Sequence, residues 1–123
     1  MKKTVGVKAF CKCALENGEL IFSLTGEIDH HSAAYLREEM DMEIYRYKPK
    51  RLRLDFSKIT FMDSAGLGLA VGRYKKALAL GGETVVAVGK NEHCGRIFQM
   101  AGLERLEGLV LEMKKETKKG SKK

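Results

Sequence analysis

Apolar and polar residues alternate at the beginning of the chain, the pattern of a half-buried β-strand. In residues 8–15 this alternation places one set on a common face: Ala9, Cys11, Cys13 and Leu15. Residues 20–25 alternate in the same way, and Asn17-Gly18 between the two segments favours a tight turn, because both residues tolerate positive φ. We therefore predict that the chain opens with a β-hairpin.

The apolar period changes to three- and four-residue steps in three later segments, which is the spacing of amphipathic helices. The first covers residues 32–47, and the second has its apolar stripe over residues 67–78. The third has Asn91 as its predicted N-cap and stops at Gly102. Three helices are therefore predicted after the hairpin.

Short apolar or alternating runs separate these helices, at residues 51–56, 84–88 and 109–113. The resulting order is β-β-α-β-α-β-α-β, and right-handed crossovers would make the later strands parallel. Residues 84–88 are nearly all apolar, as expected for a central strand covered on both sides. We predict an α/β fold with a mixed sheet of four to five strands, an N-terminal hairpin and three to four flanking helices.

The composition is typical of one globular domain, since the 123 residues are 44% hydrophobic and include one proline. No apolar run approaches the roughly 18 to 20 residues of a membrane span. The basic N-terminus lacks the apolar segment of a signal peptide. We therefore expect a cytoplasmic protein with no membrane partner.

Most of the net charge of +7 lies near the C-terminus, where residues 114–123 hold six lysines and one glutamate and leave +2 for the rest. Such lysine-rich ends are typically disordered. We therefore divide the chain into a folded domain, residues 1–113, and a basic disordered tail, residues 114–123. Nucleic-acid binding needs basic residues interleaved with aromatic ones on a folded face. The sequence shows no such pattern, so no direct nucleic-acid partner is predicted.

Two groups of residues raise the question of a metal site. Cys11 and Cys13 would face the same side of a strand, but further ligands are missing, so we expect small core residues there. Asp29, His30 and His31 are consecutive, and neighbouring histidines point apart. A loop capped by Asp29 or by a nearby serine explains this motif better. We predict no metal and no other cofactor.

The segment "SKITFMDSAGLGLAVGRY", residues 57–74, contains glycines at helical spacing. A Walker loop needs Gly-Lys-Ser/Thr after its second glycine, and a dinucleotide fingerprint needs a glycine at position six, where this chain has Val71. Neither template fits. We favour glycines that let a sheet or a partner come close to the helix. Nucleotide binding stays open as the weaker alternative.

Ser64 in the same segment is not in the setting of a catalytic nucleophile. A nucleophile elbow has glycine two residues before the serine, where this chain has Met62. Asp63 or Ser64 can instead cap the helix that follows. A hydroxyl at a helix N-terminus can also carry a phosphate, which the helix dipole and free amides tolerate.

Two motifs carry a family resemblance: "LTGEIDHHSA" at residues 24–33 and "FMDSAGLGLAVGRYK" at residues 61–75. Both closely resemble the anti-sigma factor antagonists of the STAS domain family, and in particular the sporulation antagonists of the anti-sigma-F factor. The resemblance extends over about residues 15–112. It implies a small non-enzymatic α/β domain that acts by binding another protein.

The resemblance also implies a switch at Ser64. In that family, the anti-sigma factor is a serine kinase that phosphorylates the serine after the motif's aspartate. The unphosphorylated antagonist binds the kinase and frees the sigma factor. The phosphorylated antagonist cannot bind, and a PP2C-type phosphatase removes the phosphate and restores the binding form. Ala65 stands where many relatives have a second serine, so Ser64 is the single acceptor expected. The implied partner surface is Asp29, His30, Asp63, Ala65, Gly66, Leu67 and Gly68. The alternative is a small nucleotide-binding STAS module of general stress signalling.

Overall fold

The computed structural model describes residues 8–89 and 93–114, and in these ranges it has the predicted element order. The strands are β1 (Ala9–Glu16), β2 (Glu19–Ile28), β3 (Arg51–Met62), β4 (Glu83–Gly89) and β5 (Leu109–Lys114). The helices are α1 (His30–Tyr47), α2 (Ser64–Ala79) and α3 (His93–Met100), with a 3-10 turn at Leu103–Arg105. The predicted N-cap Asn91 lies outside the described residues.

The N-terminal hairpin is confirmed. β1 pairs antiparallel with β2, and the turn residues Asn17 and Gly18 have φ of 53° and 80°. Both values lie in the left-handed region that asparagine and glycine tolerate best. The other strands are all parallel, in the spatial order β1-β2-β3-β4-β5. The predicted mixed sheet is therefore confirmed, with five strands.

Strand order explains where the helices lie. From β2 to β5 each new strand is added on the same side of the previous one. Crossovers of one hand then place every connecting helix on the same face of the sheet. The core on that face combines residues of the three helices with those of the central strands, among them Leu36, Leu52, Phe56, Ala70, Val86 and Phe98.

The opposite face of the sheet differs from the prediction. Every residue from Thr84 to Val88 is buried, as expected for a central strand. Val85 and Ala87, however, pair in register with Arg53 and Asp55 rather than facing the helices. Among the described residues this second face is covered by long charged side chains instead of a helix layer.

Those side chains form ion pairs across the strands. Arg53 lies 3.2 Å from Glu19 and 3.0 Å from Glu112, and Lys114 lies 2.9 Å from Asp55. Burial raises the pKa of Asp55, but hydrogen bonds from Ser57 and Lys114 outweigh it, so the net pKa is lowered. The pairs stabilise the charged face while their aliphatic stems cover β4.

β1 is an edge strand, and this changes the expected position of its cysteines. Ala9 is fully buried, Cys11 is partly buried, and Cys13 and Leu15 are exposed. The prediction that both cysteines are core residues is wrong for Cys13 and half right for Cys11, because the helix layer covers little of this edge. Cys94 in α3 is buried.

α2 is anchored to α1 by an ion pair. The Arg73 side chain is 4% exposed, and its Nε lies 2.8 Å from Oδ1 of Asp41. Neither atom has a well-aligned hydrogen bond, so the contact is a close ion pair in which the N–H of Arg73 does not point directly at the Asp41 oxygen. Lys76 lies 3.9 Å from the second oxygen of Asp41.

At the C-terminal end, β5 includes Lys114, the first residue of the predicted tail, which pairs with Gly89. Residues 115–123 lie outside the described part of the chain. None of the described helices is long and apolar enough to cross a membrane.

Candidate functional site

The two motifs singled out in the sequence meet at one edge of the sheet. Ile28 at the end of β2 is the register partner of Met62 at the end of β3. The backbone N–H of Asp63 donates to the carbonyl of Ile28 at 3.1 Å. The N-termini of α1 and α2 therefore lie side by side, as carboxyl ends of parallel strands require.

Asp63, and not Ser64, is the N-cap of α2. The Asp63 backbone is extended, and its Oδ1 accepts a hydrogen bond of 2.8 Å from the N–H of Ala65. Ser64 is the first residue of the helix and is exposed, and its hydroxyl makes no hydrogen bond within residues 8–89 and 93–114. Of the two capping residues that the sequence allowed, the structure selects Asp63.

Asp29 caps α1 through a reciprocal pair of hydrogen bonds. Its Oδ1 accepts from the N–H of Ser32 at 2.8 Å, and its own N–H donates to the Ser32 Oγ at 3.0 Å. The Ser32 N–H is the largest cause of the lowered pKa of Asp29. A fixed, ionised carboxylate therefore stands beside the Asp63 cap.

The histidines after Asp29 do not gather around its carboxylate. His30 and His31 are both exposed in the first turn of α1. Within the described ranges, no three His, Cys, Asp or Glu side chains come close enough together to hold a metal ion. The capping explanation of this motif accounts for the observed geometry.

The residues of the implied partner surface differ in exposure. His30, Ser64 and Gly68 are exposed, Asp29, Asp63, Ala65 and Leu67 are partly buried, and Gly66 is buried. A Cβ on Gly66 would lie 2.5 Å from Sδ of Met62, so this glycine allows α2 to pack on the end of β3. A Cβ on Gly68 or Gly72 would meet nothing within 4 Å. Gly66 therefore allows an internal contact, whereas Gly68 and Gly72 lie on an open side of the helix.

His93 also belongs to this edge and was not among the residues selected from the sequence. Its Nε2 lies 3.1 Å from the carbonyl oxygen of Met62, so this nitrogen must carry a proton to donate. Its ring stacks on Phe61, with centroids 5.7 Å apart and an interplanar angle of 13°. Phe61 is 46% exposed. The exposed aromatic residue directly before the "MDS" motif was the available signal.

The cysteines of β1 are poor nucleophiles and metal ligands in this setting. Burial raises the pKa of Cys11 to about 12, with Glu39 and Cys13 adding to the shift. Burial and Glu43 also raise the pKa of Cys13. Because the thiolate is the reactive and metal-binding form, both thiols are held in the unreactive state.

Comparison with known proteins identifies the same family as the motifs. A sequence profile of the STAS domain matches residues 14–118. The chain is 39% identical over 89 residues to the anti-sigma F factor antagonist of Paenibacillus polymyxa, which covers 72% of this chain and 75% of that protein. It is 35% identical over 81 residues to the anti-sigma-B factor antagonist of Listeria monocytogenes, covering 65% and 68% of the two chains.

Solved structures show the same fold. The anti-sigma factor antagonist SpoIIAA in its unphosphorylated form matches with a TM-score of 0.70 and 24% identity, covering 89% of this chain and 90% of that one. The Bacillus cell fate determinant SpoIIAA in its phosphorylated form matches with a TM-score of 0.65 and 25% identity, covering 89% and 94%.

Proposed function

The chain belongs to the STAS domain family, and we propose on this basis that it is an anti-sigma factor antagonist controlled by phosphorylation of Ser64. In this proposal the unphosphorylated protein binds an anti-sigma factor serine kinase, and the kinase releases its sigma factor. The kinase then transfers the γ-phosphoryl group of ATP to the Ser64 oxygen, which ends binding. A PP2C-type phosphatase hydrolyses the phosphoserine and restores the binding form.

The observation that carries the proposal is the exposed hydroxyl of Ser64 at the first position of α2, which has no hydrogen-bond partner among the described residues. A kinase needs an accessible hydroxyl, and a phosphatase needs equal access to the phosphoserine that forms there. The helix N-terminus offers amide groups and a positive dipole end, so the fold tolerates a phosphate here. Solved relatives in both phosphorylation states support the idea that the fold survives the modification.

The surroundings explain why a phosphate would act on binding. Phosphorylation adds about −1.5 to −2 charges at the residue after the Asp63 cap, and Asp29, the cap of the neighbouring helix, adds a carboxylate at the same edge of the sheet. A partner that covers this edge must then remove water from a dense group of negative charges, which costs several kcal/mol unless cations replace the water. A shift from mostly bound to mostly free takes about 5.5 kcal/mol. Desolvation and repulsion together can supply much of this difference.

The test is a binding measurement with the cognate anti-sigma factor kinase from the same genome. Ser64→Ala should keep binding in the presence of ATP, whereas Ser64→Asp should bind much more weakly while melting within a few degrees of the wild type. Thr25→Asp is the matched control, since Thr25 is exposed on β2 away from α2. Phosphate found by peptide mass spectrometry at a residue other than Ser64 would refute the switch.

Relatives named for the F and B sigma factor systems both match this chain, so the pathway needs its own experiment. Recovery of the partner on immobilised Ser64→Ala from the native host identifies the kinase directly. The nucleotide-binding alternative has less support, because Gly68 and Gly72 lie on an open helix face rather than in a phosphate loop. Saturable nucleotide binding that is lost in Gly68→Leu would favour the nucleotide-binding alternative over the phosphorylation switch.

A further inference from the structure

A second charged surface lies at the other end of α2, between this helix and α1. It is a groove of about 410 Å³, which we call the basic groove, lined among others by Tyr45, Gly72, Lys75, Lys76 and Ala79. Ser64 and Lys76 are twelve residues apart, which is about 18 Å along a helix. The basic groove is thus separate from the phosphorylation site but on the same helix.

The groove has positive charge that the described residues do not neutralise. Asp41 is the carboxylate next to it, and Arg73 already holds its Oδ1 at 2.8 Å. Lys76 reaches the other oxygen at 3.9 Å, a loose contact. Lys75 is exposed and forms no ion pair with any residue in the described ranges. Arg73 and Lys76 therefore share one carboxylate, and Lys75 adds a third cation without an ion partner in these ranges.

The groove also has an aromatic wall and an open floor. Tyr45 is 51% exposed, and its hydroxyl accepts a hydrogen bond of 3.1 Å from Nζ of Lys76, which lies 5.4 Å from the ring centroid. At Gly72 the position of a Cβ is empty for 4 Å around, so another backbone can come close to the helix. Basic and aromatic residues that are far apart in the sequence are thus combined on one folded face, which the sequence analysis did not find.

One exposed helix face connects this groove to Ser64. Ser64, Gly68, Gly72, Lys75 and Ala79 follow one another at three- and four-residue steps, so they lie on one side of α2. None of them is buried. A protein that covers Ser64 and extends along this side reaches the basic groove.

We propose that the basic groove binds an acidic peptide segment of the same kinase that contacts Ser64. This inference rests on the proposed function for the identity of the partner, and on the groove's own charge for the chemistry of the segment. Asp or Glu side chains would pair with Lys75 and Lys76, and an apolar residue would pack on Tyr45. The groove is short and offers Lys75, which has no ion partner in the described ranges, and Lys76, which has only a loose one. Nucleic acid instead needs a basic track along several phosphates.

The first experiment measures the dissociation constant for the cognate kinase with ADP, so that no phosphoryl group is transferred. Lys75→Glu with Lys76→Glu should weaken binding about tenfold or more at low salt, with the difference shrinking as salt rises. The control is Lys12→Glu with Lys58→Glu, the same charge change at exposed lysines away from α2. Lys75→Glu alone serves if the double variant is unstable. Equal binding by the test and control variants overturns the inference.

The second experiment separates this inference from the proposed function. Fluorescence anisotropy follows a labelled decaglutamate peptide and a labelled decauridylate RNA on the full chain. Decaglutamate binding that is lost in Lys75→Glu, but kept in Lys12→Glu, supports the groove even if no kinase binds. Equal or tighter binding of decauridylate at the same lysines would replace the peptide by nucleic acid and overturn the proposal. Decaglutamate binding that is the same in both variants overturns it as well.

Discussion

The two ends of α2 are built from opposite charges and anchored in different ways. The N-terminal end has Asp63 as its cap, the neighbouring cap Asp29 and an exposed Ser64. The C-terminal end has Lys75 and Lys76 at the surface and Arg73 buried against α1. Both ends complement the helix dipole, which favours anions at the start and cations at the end. The contrast shows how a modification at one end can change a surface while the helix stays in place.

Loss of the anchor at the basic end should have the largest effect on stability. Arg73→Ala leaves Asp41 with Lys76 at 3.9 Å as its closest cation and opens a gap between the helices. We expect the free energy of unfolding in urea to fall by about 2–4 kcal/mol, somewhat below a fully buried pair because Asp41 is partly exposed. The control Lys75→Ala should stay within about 0.5 kcal/mol of the wild type. Equal stability of the two variants would show that the ion pair is not an anchor.

Alanine at two neighbouring glycines should act in opposite directions at the acidic end. Gly66→Ala places its Cβ against the buried Met62. The packing penalty of about 1–3 kcal/mol exceeds the helix gain of about 1 kcal/mol, so we expect lower stability. Gly68→Ala meets open space and should raise stability by about 0.5–1 kcal/mol.

Thermal and urea unfolding of the two variants check this pair of signs. If Gly68→Ala also lowers the stability of the protein, the side of α2 at Gly68 is not open, and the expected contrast between the two glycines is wrong. If it stabilises the protein and also weakens kinase binding, the added methyl group reports close contact with the partner.

The smallest expected effect is the pH dependence of the cap at Asp29. The folded pKa is lowered, mainly by the N–H of Ser32, so the stabilisation is present above the unfolded value of about 3.9 and is lost as pH falls toward the folded value. Asp29→Asn lacks the charge. The gap in urea midpoint between the wild type and this variant should be widest at pH 7 and should narrow below about pH 4. If the difference in urea midpoint does not change with pH, the charge of Asp29 contributes nothing to stability.

Much of the fold could be predicted because each local pattern agreed with the final structure. The turn at Asn17-Gly18, the periodic stripe of α1 and the parallel strands all follow from nearby residues. The ends of β2 and β3 were missed, because alternation stops before Ile28 and Met62, where pairing between the strands continues. Register shifts between these strands break the period there.

Candidate site residues could be named from the sequence where one motif contains them, and they were missed where distant segments meet. Ser64 and Asp63 are adjacent in the chain, so their roles could be argued from sequence. His93 reaches Met62 from α3, and Lys76 reaches Tyr45 from another helix. No periodicity in a single sequence encodes such contacts. The hypothesis of a switch at Ser64 came from the family resemblance, because composition and spacing did not provide it.

The spatial order of the strands, which equals their order in the chain, also bears on synthesis at the ribosome. Each strand pairs with one that has already been synthesised, so no strand stays unpaired until a distant segment of the chain is made. Each parallel pair is separated in the chain by a single crossover, which keeps the contact order low for a parallel sheet. The Asp63 bond to Ile28 can form before α3 leaves the ribosome. The proposed acceptor Ser64 therefore lies between segments that are synthesised before His93, which contacts Met62 at the same edge.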